Sequence, residues 1–160
     1  MKIQFLPPIR TAFITAVLVF ACAGCFLIPS KHSDYRPIHE YAAAGNIAEI
    51  AQDLAAYPHD VNLTDDAGRT PLHLAATHCR IDAAKLLLDK GAKIDAKAAG
   101  GTTPLHLAAQ SGCVDTVNLL LSKGAKVNAR DDQGRTPLDR AMQWHRDSAV
   151  QLLRAQGGIE

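Results

Sequence analysis

The chain has 160 residues, which is enough for one domain of ordinary size and too few for two. Hydrophobic residues make up 48% of it, and this fraction excludes a wholly disordered chain. Lys and Arg total 17 against 16 Asp and Glu, so the charge gives no indication of nucleic-acid binding.

The N-terminal segment has the pattern of an export signal. Lys2 and Arg10 precede an uncharged apolar stretch, residues 11–24, which ends in small residues. A basic region, an apolar run and small residues before a cleavage site are typical of secretory signals. Because the positive charges precede the apolar run, we expect the rest of the chain to be exported.

Ala23-Gly24-Cys25 resembles the lipobox of bacterial lipoproteins, although Cys22 stands where that motif usually has Leu. The resemblance implies a signal peptide over residues 1–24, lipidation of Cys25 and a polar tether over residues 25–35. It places the protein in the bacterial cell envelope, facing the periplasm. Phe26 favours the outer membrane over the inner one, by resemblance to enterobacterial sorting.

Two alternatives concern the same segment. Cleavage before Cys22 fits less well, because Phe20 is bulky. An uncleaved anchor would use residues 11–28, and these 18 residues lie at the lower limit for a membrane span. The lipoprotein interpretation is favoured over both.

The remainder of the chain consists of four copies of one sequence repeat. Thr70-Pro71-Leu72-His73 recurs at 103–106 and, with Asp in the last place, at 136–139, both at intervals of 33 residues. A weaker copy begins at Pro37-Ile38-His39. A fixed period of this length indicates a solenoid, in which each unit is stable only against its neighbours.

The pattern Gly-x-Thr-Pro-Leu-His-x-Ala-Ala at 68–76 and 101–109 resembles the ankyrin repeat. The resemblance implies an all-α repeat solenoid of four stacked helix-turn-helix repeats with β-hairpin-like connecting fingers. It covers residues 36–160, with repeats at about 36–64, 65–97, 98–130 and 131–160. Polar residues at Gln52-Asp53 and Arg154, where the inner repeats have Leu, indicate caps.

The repeat also contains local helix signals. Thr70, like its two later copies, is a natural N-cap, and the Pro that follows fits the first turn of a helix. Gly91 and Gly124 follow runs of Leu, where the end of a helix favours a residue with positive φ.

Three of the seven His residues, His39, His73 and His106, occupy the same place in successive repeats. The resemblance implies that each ties a turn together through backbone hydrogen bonds, with Asp139 as the fourth copy. No metalloprotease, nucleophile-elbow or phosphate-binding motif is present in the sequence. We therefore expect neither catalytic activity nor a cofactor.

If Cys25 is acylated, Cys79 and Cys113 remain in an oxidising compartment, where a disulfide forms if geometry permits. Stacked helix pairs lie roughly 10 Å apart, whereas a disulfide needs Cα atoms within about 7 Å. This spacing favours two free thiols. Cys79 stands where the next repeat has Gly112, so we also expect a strained helix end there.

In the family, partners bind the concave face, which consists of the finger tips and the exposed ends of the first helices. The resemblance assigns this candidate face to Asp66, Arg69, Thr77, His78, Lys97, Thr102, Gln110, Ser111, Arg130, Asp132, Gln133, Arg135, Gln143 and Trp144. Trp144 is the only Trp, and Trp is enriched at interface hot spots. The alternative is that Trp144 covers the C-terminal cap beside Met142.

These observations predict a monomeric, envelope-anchored module that binds a partner protein and no nucleic acid. It would be an immunity-type inhibitor of an incoming toxin or a scaffold for an envelope enzyme. The alternative is a metal- or thiol-dependent protein that uses His78, Cys79, His106 and Cys113.

Overall fold

Pairs of helices follow one another four times along the chain. The computed structural model describes residues 37–159, and within this range it contains eight α-helices and no strand. The first helices of the pairs are α1 (Ile38–Ala44), α3 (Pro71–Thr77), α5 (Pro104–Ser111) and α7 (Pro137–Gln143). The second helices are α2 (Ile47–Ala56), α4 (Ile81–Asp89), α6 (Val114–Ser122) and α8 (Asp147–Ala155). Two 3-10 turns, Pro58–Asn62 and Ala99–Gly101, lie in the connections.

The helices form two layers with one continuous core between them. Each first helix packs on the next first helix, and each second helix packs on the next second helix. Equivalent positions of the first helices hold Ile38, Leu72, Leu105 and Leu138, all at most 1% exposed. Fully buried alanines, among them Ala75 in α3, let neighbouring helices approach closely. The structure therefore confirms the predicted all-α repeat solenoid.

The predicted helix signals are confirmed. Thr70, Thr103 and Thr136 are N-caps with extended backbone, and a Pro follows each of them in the first turn. Gly91 and Gly124 have φ of 91° and 92°, the left-handed region that glycine adopts at low cost.

The connections between repeats are closed as hairpins. The Asp65 N–H donates to the Arg69 carbonyl at 2.9 Å, and the Asp131 N–H donates to the Arg135 carbonyl at 3.0 Å. Backbone hydrogen bonds also join successive fingers, for example from the Ala99 N–H to the Ala67 carbonyl at 2.9 Å. The fingers are thus hairpin-like in their hydrogen bonding and form a continuous edge of the molecule.

The predicted signal peptide over residues 1–24, the lipidated Cys25 and the tether over residues 25–35 lie outside the described residues. Among residues 37–159, no helix has the length and apolar character needed to cross a membrane.

Candidate functional site

The repeated histidines join neighbouring repeats. The Thr70 N–H donates to His73 Nδ1 at 3.0 Å, and His73 Nε2 lies 3.1 Å from the Thr102 carbonyl of the next repeat. His106 is placed in the same way, with Nε2 3.0 Å from the Arg135 carbonyl. Since an amide N–H can only donate and a carbonyl can only accept, Nδ1 is the unprotonated nitrogen and Nε2 is the donor.

His39 makes the same cross-repeat contact, because its Nε2 lies 3.0 Å from the Arg69 carbonyl. In the fourth repeat the Asp139 carboxylate accepts from the Thr136 N–H at 2.7 Å. These bonds confirm the structural role predicted for the three histidines and for Asp139. Burial lowers the pKa of His73 and of His106, although their backbone hydrogen bonds oppose the shift.

Cys79 and Cys113 form a disulfide, so the prediction of two free thiols was wrong. Their Cα atoms are 5.1 Å apart, well inside the range for a disulfide. The expectation used the spacing between helix axes, but neither cysteine lies within a helix. Cys79 follows the end of α3, and Cys113 precedes α6, so both lie in turns that approach each other across the repeat boundary. Cys79 has φ of 55°, in the left-handed region that is strained for a residue with a side chain, as expected at this helix end.

The disulfide also contradicts a metal site built from His78, Cys79, His106 and Cys113. Disulfide sulfurs are not available as thiolate ligands, and the His106 ring is buried and hydrogen-bonded. No group of three or more His, Cys, Asp or Glu side chains suited to a metal occurs within residues 37–159.

Most residues assigned to the candidate face are accessible. The exposed ones are Asp66, Arg69, His78, Lys97, Arg130, Asp132, Gln133, Gln143 and Trp144. Thr77, Gln110, Ser111 and Arg135 are partly buried. Thr102 is buried, and its hydroxyl donates to the Ala99 carbonyl in its own finger, so the structure removes Thr102 from the face.

Trp144 is the largest exposed side chain on the candidate face. It follows the last residue of α7 and is 49% exposed. His78 and Ser111 hold the same place at the ends of α3 and α5, so the three form a row across successive repeats. Half of the Trp144 surface is thus open to contact.

A buried carboxylate organises the last finger, and the sequence analysis missed it. Asp131 Oδ2 accepts from Arg135 Nε at 3.0 Å and from Arg140 Nη2 at 2.8 Å. Arg140 Nη1 also donates to Gln110 Oε1 at 2.9 Å, which links the third and fourth repeats. Burial alone would raise the pKa of Asp131, but the Arg135 N–H and the two guanidinium groups hold it well below its usual range.

The signal for this network is in the sequence. Arg140 stands where the two preceding repeats have Leu74 and Leu107, beside an acidic finger residue. Asp65 and Arg69 form a simpler version in the first finger, with Arg69 Nη2 at 2.8 Å from Asp65 Oδ2. Arg69 and Arg135 were predicted as binding residues, and each also stabilises its own finger through its ion pair with Asp65 or Asp131.

Comparison with known proteins agrees with this geometry. Three copies of the family model for ankyrin repeats match the chain, over residues 16–98, 38–131 and 96–160. The chain is 35% identical over 83 residues to the NF-kappa-B inhibitor cactus of Drosophila melanogaster, covering 51% of this chain and 16% of that protein. It is 33% identical over 95 residues to protein phosphatase 1 regulatory subunit 27 of Mus musculus, covering 59% of this chain and 61% of that protein.

A third relative is palmitoyltransferase akr1 of Neurospora crassa, 40% identical over 71 residues, 44% of this chain and 9% of that protein. The chain therefore spans less than two thirds of the length of each of these relatives. The repeats and the relatives that are named as an inhibitor and as a regulatory subunit support a protein–protein interaction module.

Proposed function

This chain belongs to the ankyrin-repeat family, and we propose that it is an envelope-anchored module that binds a partner protein through its concave face. The observation that carries the proposal is the exposed Trp144 at the end of the row formed with His78 and Ser111. A solvated helix end gains nothing from an indole ring, whereas a half-exposed Trp beside polar side chains is typical of a hot spot. The polar members of the face supply hydrogen bonds around it.

Two observations support the envelope location. Disulfides persist in oxidising compartments such as the bacterial periplasm, and Cys79 and Cys113 are bonded. The lipobox-like Ala23-Gly24-Cys25 supports anchoring through a lipid. The role that fits best is an inhibitor of the immunity type or a scaffold, because two relatives are named as an inhibitor and a regulatory subunit.

The binding proposal is tested by capture of a partner from a detergent-solubilised envelope fraction. The full chain with a C-terminal affinity tag is compared with its Trp144→Ala variant. The matched control is Tyr57→Ala, which removes an aromatic side chain that is 54% exposed at the end of α2, a helix that contributes no residue to the candidate face. We expect a protein that is retained by the wild type and by the Tyr57 variant and lost by the Trp144 variant, at equal helicity by circular dichroism.

Equal recovery by all three proteins would place the binding site away from the concave face. Failure to capture any protein from envelopes would contradict a resident scaffold partner. An immunity role would then require capture of a toxin supplied from outside the cell.

The anchoring proposal has its own test. Cys25→Ser should abolish incorporation of radiolabelled palmitate and move the protein from the membrane fraction to the soluble fraction. Cys22→Ser is the control and should keep the label. Label that is lost in the Cys22 variant and kept in the Cys25 variant would assign the lipid to Cys22. Absence of label from the wild type would contradict the lipoprotein proposal.

A further inference from the structure

The three boundaries between successive repeats share one contact. The contact joins two positions of adjacent repeats. One residue follows the first helix of a repeat, and the other precedes the second helix of the next repeat. At the first boundary this pair is Arg80 over Gly45, and at the third it is Arg146 over Gly112. A Cβ added to Gly45 would lie 3.0 Å from Arg80 Cδ, and one added to Gly112 would lie 2.9 Å from Arg146 Cδ.

The two arginines also hydrogen-bond across their boundaries. Arg80 Nε donates to the Ala43 carbonyl at 3.0 Å, and Arg146 Nε donates to the Gln110 carbonyl at 3.0 Å. Glycine suits the residue beneath because its φ is positive, 82° at Gly45 and 78° at Gly112. These boundaries therefore rely on a reversible polar contact.

The middle boundary uses a covalent bond in the same place. Cys79 stands at the glycine position with φ of 55°, and Cys113 stands at the arginine position. Cysteine thus replaces both the glycine and the arginine of the other two boundaries, and the two cysteines bond to each other. The disulfide thus replaces the glycine–arginine contact between the second and third repeats.

The two residues of the bridge differ in exposure. Cys79 is exposed, whereas Cys113 is 4% exposed. Both line a shallow, open depression together with Ile81, Val114 and Thr116. An attacking thiolate would therefore meet the bridge first at Cys79.

We propose that the Cys79–Cys113 bridge is a thiol–disulfide exchange site that locks the second and third repeats together and is opened by a dithiol reductant. One thiolate of the dithiol attacks the Cys79 sulfur, and the electron pair of the broken bond leaves on Cys113, which takes up a proton. The second thiolate of the dithiol then attacks its own sulfur in the mixed disulfide and releases Cys79, which is protonated in turn. The dithiol becomes a disulfide, and its two electrons reduce the bridge to two thiols.

Opening the bridge acts on the candidate face. Thr77 and His78 directly precede Cys79, and Gln110 and Ser111 precede Cys113 by only a few residues. Loss of the bond leaves this boundary without either a covalent link or the arginine contact. The ends of α3 and α5, which carry these side chains, then move more freely.

The test compares the purified full chain with and without dithiothreitol. A matched variant, Cys79→Gly with Cys113→Arg, carries at the middle boundary the contact that the other two boundaries use. We expect the wild-type melting temperature to fall by roughly 10 °C on reduction and to recover after the reductant is replaced by oxidised glutathione. Hydrogen exchange at the ends of α3 and α5 should become faster in the reduced protein. The variant should show neither change.

Free thiols at both Cys79 and Cys113 in the native, unreduced wild type, located by alkylation and peptide mass spectrometry, would overturn the proposal. So would identical melting temperatures with and without the reductant. If the double variant lost as much stability in dithiothreitol as the wild type, the effect would not come from the bridge. A lower melting temperature with unchanged exchange at α3 and α5 would refute the loosening of the face. Each readout is made without a partner, so it stands apart from the binding test above.

Discussion

Single histidines join successive repeats of this molecule. The His73 and His106 rings are fully buried, and each accepts a hydrogen bond at Nδ1 from its own repeat and donates one from Nε2 to the next. A proton added at Nδ1 would turn the acceptor into a donor that faces another donor. Burial also penalises the charged ring and lowers the pKa of both histidines, so the folded protein favours their neutral form.

We expect the free energy of unfolding to fall as the pH decreases below about 6.5. The pKa of His73 and of His106 is lowered from 6.5 by burial in the folded protein, so the unfolded chain binds more protons in this range. The stabilisation is fully present above about pH 6.5 and is lost progressively below it, towards the lowered pKa. Between pH 6.5 and 5 the loss can reach at most about 2 kcal/mol per histidine, since one pH unit corresponds to about 1.4 kcal/mol per proton. Urea unfolding at several pH values measures it.

The slope of the free energy of unfolding against pH shows which histidines cause the pH dependence. His106→Asn removes one of the two titrating rings and should flatten the pH dependence even though it lowers the stability at pH 7.5. A wild-type stability that is constant from pH 7.5 to 5 would contradict the role of the buried rings.

The sequence was sufficient to predict the helix pairs, because they depend on short motifs that repeat at a fixed interval, and the histidine role followed from the resemblance of those motifs to the ankyrin repeat. The Cys79–Cys113 bond could not be predicted, because it depends on how closely two turns of different repeats approach. The network around Asp131 was missed because it joins the finger of the fourth repeat to the first helix of that repeat and, through Arg140, to Gln110 of the third repeat. Both features join residues that belong to different parts of the repeat, and periodicity alone does not place such residues together.

At the scale of whole elements, the fingers differ although their backbones match. The first and last fingers each use an Asp whose Oδ1 accepts two backbone N–H groups, from Ala67 and Arg69 in the first and from the equivalent residues in the last. The middle finger has no such carboxylate and instead contains Gly100 and Gly101. A Cβ at Gly101 would lie within 2.9 Å of the Asp132 backbone nitrogen, so close contact with the next finger requires glycine there.

Removing the finger carboxylates should have unequal effects. Asp131 is fully buried at its side chain and pairs with Arg140, which is only 14% exposed, so Asp131→Ala leaves an unpaired cation in a poorly solvated place. We expect a loss of about 3 kcal/mol. Asp65→Ala should cost about 1 kcal/mol, because its partner Arg69 is 45% exposed and can be solvated. Denaturant unfolding of the two variants measures the difference.

The double variant Asp131→Ala with Arg140→Leu provides the control. It restores at position 140 the leucine of the two preceding repeats and removes the unpaired charge. It should recover more than half of the stability lost by Asp131→Ala alone. If the Asp65 and Asp131 variants lost the same amount of stability, burial of Arg140 would have no effect on the cost of removing its carboxylate partner.

Within residues 37–159, each helix pair packs chiefly against the pairs next to it, as in a one-dimensional stack. The second and third repeats have a neighbour on both sides and are joined to each other by the disulfide. The first and fourth repeats have a single neighbour each among the described residues. Gln52 and Arg154, two of the residues interpreted as caps from the sequence, are exposed.

Local opening should therefore begin at the ends of the array. We expect amide hydrogens in α3 to α6 to exchange at least about tenfold more slowly than those in α1, α2, α7 and α8, because opening an inner repeat breaks two interfaces and opening an end repeat breaks one. Hydrogen-exchange mass spectrometry of the oxidised protein, under conditions far from global unfolding, measures the profile. Within the fourth repeat, the link from Arg140 to Asp131 and Gln110 should make α7 exchange more slowly than α1. Uniform protection along all eight helices would contradict this, since it would mean that the interfaces are strong enough for the four repeats to open only together.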